Sequence, residues 1–101
     1  MTAAASPDEV RRRGDELRAR IDERADGRSV SIIAVTKGFD ASAPRAALAA
    51  GLDRCGENYA QELVTKDDAL TDGERAAVQW HFIGRLQRNK IRSLASRVAL
   101  W

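Results

Sequence analysis

The sequence predicts an α/β fold built of parallel βαβ units, with the length of part of a (β/α)8 barrel. Three observations predict it. Strand-like segments alternate with helical patterns four times, and the connections between them are short. The first run, "SVSIIAVT", is apolar almost without in/out alternation, as strands covered on both faces are. A complete barrel needs about 250 residues, and the chain has 101. The expected architecture is a partial barrel of the TIM type, about four βα units from its N-terminal side, forming one domain over residues 1–101. Half a barrel leaves two strand edges unpaired, so the chain is expected to be a fragment or to pair with something.

Each element carries its own signal. Ser6 precedes Pro7, Asp8 and Glu9, which supplies an N-cap, a proline in the first turn and a Ser6/Glu9 capping box. Val10, Leu17 and Ile21 then recur at helical spacing until "ADGRS" ends the helix. The first strand is expected from Ser29 to Thr36. In "ASAPRAALAAGL", Ser42 is the expected cap, Pro44 lies near the start and Gly51 is placed to terminate a second helix. A short strand over Arg54 to Glu57 leads into a helix from Asn58 to Leu70, and "TDGER" reads as a turn. Val78 to Gly84 is rich in aromatic and β-branched residues, which predicts a third strand. "LQRNKIRSLAS" reads as a helix with Leu86, Ile91 and Leu94 on its apolar side, and "RVALW" opens a fourth strand.

Composition narrows the function classes. The chain is 44% hydrophobic and 32% charged, as globular domains are. It has no run near the ~20 apolar residues that a membrane helix needs, and its start has no secretory pattern. The single cysteine, Cys55, excludes an internal disulfide and suits a reducing compartment, so the cytoplasm is the expected location. A net charge of +2 is too small to argue for nucleic acid. Basic residues do concentrate from Arg85 to Arg97, and an RNA-associated or scaffold role for that segment is one alternative.

In parallel α/β folds, chemistry gathers at the carboxyl ends of strands. There the sequence offers Lys37, Asn58 and His81. Singly, each has a plain structural reading: a solvated lysine, a helix N-cap and a core histidine. Together they suggest more. Ile33, Val35 and Lys37 share one face of the first strand. If that face looks into a barrel, Lys37 stands at its mouth, where partial desolvation lowers an amine's pKa. An ordinary lysine is only about one part in a thousand neutral at physiological pH, and the neutral amine is the form that attacks an aldehyde.

Three blocks carry a family resemblance: "AVTKGF", "GENYAQEL" and "WHFIGRLQRNK". In this order and at these separations they resemble the pyridoxal-phosphate homeostasis proteins, over about Val30 to Trp101. The resemblance implies the barrel of the alanine racemase N-terminal domain, fold-type III among pyridoxal-phosphate proteins. It implies that Lys37 holds pyridoxal 5′-phosphate as a Schiff base, that Asn58 lines the cofactor pocket, and that His81 lies on the strand flooring it. Lys90 falls at a motif position whose role stays open, and Arg85 stands where the family commonly has histidine. The implied function is cofactor homeostasis, with pyridoxal-phosphate-dependent client enzymes as further partners, and a non-catalytic carrier is favoured over an enzyme. The alternative is a fold-type III racemase or decarboxylase. The family's phosphate cradle comes from a carboxyl-terminal region that these residues do not include, so the chain alone is expected to bind the cofactor weakly.

Overall fold

The structure, a computed structural model, describes residues 6–100 and no side chain at Leu100; Trp101 lies outside the described residues. Four parallel strands form one sheet in chain order: β1 (Ala34–Val35), β2 (Arg54–Glu57), β3 (Gln79–Phe82) and β4 (Val98–Leu100). The register aligns Ala34 with Cys55, Cys55 with Trp80 and Trp80 with Val98, so these four side chains share one face. That face carries the core: Cys55, Trp80 and Phe82 pack with Ala47, Leu63, Leu70, Val78 and Leu94.

Helix α1 (Pro7–Arg24) starts as expected, with the Ser6 hydroxyl accepting from the Glu9 N–H. Helix α2 (Ser42–Ala49) does not use Ser42 as its cap: the N-cap position is Ala41, with no side-chain cap bond. Instead Asp40, just ahead, accepts from both the N–H and the hydroxyl of Ser42, which holds the Asp40 pKa below its ordinary value. The helix ends as expected at Gly51, whose φ of +82° only glycine adopts without strain. Gly51 donates to the Leu48 carbonyl and Leu52 to that of Ala47, the paired bonds of a Schellman motif.

Elsewhere the elements differ from expectation. Only Ala34 and Val35 of the first apolar run pair in the sheet, because β1 is an edge strand whose sole neighbour, β2, begins at Arg54. Nor is that run covered on both sides: Ile33 and Val35 are 39% and 51% exposed. Helix α3 runs Ala60–Ala69 with Tyr59 in the cap position, so Asn58 is not the cap. The expected turn at "TDGER" is instead helix α4 (Asp72–Ala77), started by a complete Thr71/Glu74 capping box. The basic helix expected over residues 86–96 shrinks to a 3₁₀ turn, Arg88–Lys90, followed by α5 (Ile91–Leu94). No described helix is long and apolar enough to cross a membrane.

Asp67 ties the layers together. On α3 and almost wholly buried, it accepts from the Trp80 indole N–H at 2.9 Å and from Arg97 Nε at 3.2 Å. Arg97 also reaches Asp68 at 3.1 Å, so this cation of the basic segment is spent on the fold.

Cys55 sits at the centre of the core with no exposed surface, and burial, then the charges of Glu57 and Asp53, push its thiol up to about 12 from 9.0. A pKa raised by folding stabilises fully below the ordinary thiol value and progressively less as pH climbs from about 9 toward 12. Stability measured by urea unfolding should therefore fall more steeply above about pH 9 in wild type than in Cys55→Ala, where that proton linkage is gone. Equal slopes would mean that the thiol ionises freely in the folded protein.

Candidate functional site

The carboxyl ends of β1 and β2 meet over a buried ion pair. Glu57 closes β2, Lys66 lies one turn before the end of α3, and both are 0% exposed. Lys66 Nζ donates to Glu57 Oε2 at 2.6 Å and to the carbonyl of Thr36 at 2.6 Å. The Thr36 hydroxyl donates to the same carboxylate oxygen, and the Thr36 N–H to the Gly56 carbonyl at 3.0 Å. Thr36 is thus held at its amide, its carbonyl and its side chain. The residue after it is Lys37.

Sequence reasoning missed this network, although a signal existed. Leu63, Lys66, Asp67 and Leu70 fall at i, i+3, i+4 and i+7, the spacing of one helix face. Two charged residues on an otherwise apolar stripe are expected to be buried and paired.

The three sequence-predicted residues come to the same end of the sheet. Lys37 follows β1 in a turn closed by the Phe39 N–H on the Thr36 carbonyl, and it is exposed. The desolvation expected of it is not seen, because Ile33 and Val35 on the same strand face are open to solvent as well. His81, by contrast, is 4% exposed; it pairs in register with Gly56, which pairs with Val35, so the three form a row across the sheet on the face opposite Trp80. Gly56 leaves room in that row: a Cβ there would lie 3.2 Å from Ile33 Cγ2 and 3.2 Å from Ile83 Cδ1.

Asn58, in "GENYAQEL", lies against the block that contains Gly84. A Cβ on Gly84 would lie 2.8 Å from the Asn58 Cα and closer still to its carbonyl oxygen, so the exit of β3 passes directly against the exit of β2. The side chain makes no cap bond to α3, and its buried Oδ1 has no hydrogen-bond partner, as is also true of Glu57 Oε1. Asn58 also borders a pocket of about 370 Å³ between the start of α3 and residues 84–90, where Arg85 and Lys90 lie. Neither Lys37 nor His81 lines that pocket. Among the described residues, no group of three or more His, Cys, Asp or Glu side chains could hold a metal ion.

No family model matches the chain. Curated relatives do. It is 40% identical over 82 residues to the Schizosaccharomyces pombe protein named "Pyridoxal phosphate homeostasis protein", a match covering 81% of this chain and 33% of the relative. The Pseudomonas aeruginosa protein of the same name is 44% identical over 85 residues, covering 79% and 36%. The Escherichia coli K12 protein, again of that name, is 43% identical over 66 residues, covering 65% and 28%. Among solved structures, that of PipY from Synechococcus elongatus without PLP superposes with a TM-score of 0.75 at 37% identity, covering 88% of this chain and 38% of that one. The chain spans about a third of the length of the curated relatives it matches.

Two stability measurements test this geometry. Replacing Lys66 by Met leaves the Glu57 carboxylate buried and unpaired, and unfolding free energy should drop by roughly 3–5 kcal/mol, while the Glu57→Met/Lys66→Met double variant should regain part of the loss. Gly84→Ala should cost about 1–3 kcal/mol as the Asn58 backbone is pushed aside. Gly73→Ala, in α4 with nothing within 4 Å of the added methyl, should instead gain about 0.5–1 kcal/mol. A tolerated Gly84→Ala would show that the two strand exits do not touch.

Proposed function

Starting from membership of the pyridoxal phosphate homeostasis family, shared over about a third of the relatives' length, we propose that this chain binds pyridoxal 5′-phosphate and holds it as a Schiff base on Lys37. The observation that carries the reading is the anchoring of Thr36. A lysine that captures an aldehyde must present its amine repeatedly in one place, and the backbone just before Lys37 is fixed by Lys66, Glu57 and Gly56. The bound cofactor would supply an aldehyde, and its capture releases the carbonyl oxygen as water.

The residues at this end of the sheet suit such a ligand. Lys37 offers an accessible amine. The unpartnered Oδ1 of Asn58 is an acceptor that the fold has left uncommitted. His81 stands in the row beneath, inside the sheet. A carrier role in cofactor homeostasis, with client enzymes receiving what it holds, follows the names of the relatives and is part of the proposal.

We also propose that the sheet is the first portion of a (β/α)8 barrel, in a single domain that includes all the residues present here. Three features support it: all four strands are parallel and in chain order, the helix-packed core occupies one face, and the other face presents Ile33, Val35 and Ile83, 39%, 51% and 48% exposed, as side chains meant for a barrel interior would be.

The test is chemical. The protein is mixed with pyridoxal 5′-phosphate, reduced with borohydride and digested, and the adduct is located by mass spectrometry. It should map to Lys37, and Lys37→Ala should lose the imine absorbance band while keeping its circular dichroism, since the side chain is exposed. An imine band that persists in Lys37→Ala, or an adduct on Lys66 or Lys90, would overturn the assignment.

A further inference from the structure

The pocket beside Asn58 is chemically unlike the surroundings of Lys37, and we propose that it is a separate binding site for a small phosphate monoester. Its polar lining carries more donors than acceptors. Arg85 and Lys90 bring two positive charges, and Asn58, Gln61 and Gln87 bring three amide side chains. No carboxylate lines it.

The two cations have no other employment among the described residues. Neither forms an ion pair there, whereas Arg75 and Arg97 from the same part of the chain are bound to Asp67, Asp68 and Asp72. The sequence explains the difference: no acidic residue follows Glu74, so the segment that carries Arg85 and Lys90 has no local counter-charge. Two like charges gathered at one concavity repel each other and call for an anion from outside.

The start of α3 strengthens the site. Tyr59 and Ala60 line the pocket, and the helix has no side-chain cap, so its first N–H groups are left without a cap acceptor beside the two cations. Glu62, the acidic residue of the first turn, does not line the pocket. Two cations and these donors match a dianionic, acceptor-rich group better than a carboxylate, which carries one charge and two oxygens. Tyr59, Ala60, Phe82 and Gly84 complete the lining, and a volume of about 370 Å³ admits a small organic body.

The site is separate from Lys37 itself, which does not line it, although Asn58 is common to both readings. Calorimetric titration with phenyl phosphate, which has no aldehyde, tests it on the 101-residue chain. Saturable binding is expected, weakened at least tenfold in Arg85→Gln and in Lys90→Gln, unchanged in Lys37→Ala, and unchanged in Arg12→Gln, whose side chain is exposed on α1 far along the sequence. Benzoate should bind at least tenfold more weakly than phenyl phosphate. Absence of saturable binding, equal affinity for benzoate, insensitivity to both pocket substitutions, or equal loss in Arg12→Gln would each overturn the proposal. Loss in Lys37→Ala would do so too, by merging the two sites, and would leave the Lys37 assignment standing.

Discussion

One buried charge pair governs the functional end of this molecule. Glu57 and Lys66 have given up all contact with water, which costs several kcal/mol per ion before any attraction is counted. Such a pair persists only where geometry returns that cost through short, well-aimed bonds. Here Lys66 meets a carboxylate oxygen and a backbone carbonyl, and the carboxylate also takes the Thr36 hydroxyl. The bonds join the ends of β1 and β2 to α3, so a two-residue edge strand gains a fixed end that its own ladder could not provide. The same lysine and glutamate that stabilise the layer also define where the chain turns out toward Lys37.

The two faces of the sheet divide the labour. On one, Cys55, Trp80 and Phe82 pack under α3 and α5, with Asp67 bridging the indole of Trp80 to Arg97. On the other, Ile33, Val35 and Ile83 stay open and His81 lies low between them. Alternation along each strand forces this division, since neighbouring residues cannot face the same way. Two glycines allow the close approaches. Gly56 lets Ile33 and Ile83 close over β2, and Gly84 lets the exit of β3 pass against Asn58.

Charge is also partitioned along the chain. Acidic residues stop at Glu74, yet Asp67, Asp68 and Asp72 reach forward to neutralise Arg75 and Arg97. What remains positive is the turn after β3, next to the uncapped start of α3. That arrangement gives the carboxyl edge of the sheet two chemically different neighbourhoods, one holding an exposed amine and the other a donor-lined pocket.

Much of this was legible in the residues themselves. Ser6 with Pro7, Gly51 after an alanine-rich helix, and the aromatic and β-branched run around β3 fixed the order and type of several elements, because capping chemistry and hydrophobic period act locally. The motifs also brought Lys37, Asn58 and His81 to one end of the sheet before any coordinates, since the carboxyl ends of parallel strands converge by topology. The local reading failed for two reasons. Some local signals were passed over: Asp40 takes the N–H of Ser42, and the Thr71/Glu74 capping box closes "TDGER" into a helix. Elsewhere the partner was distant: the basic helix shortened while Arg97 turned to Asp67, 30 residues away. By itself the sequence determined the α/β alternation and the residues offered at the strand ends. Only the tertiary structure decided that Lys66, rather than Lys37, is the amine withdrawn from water, because burial is a property of what packs above a side chain and not of the residues beside it.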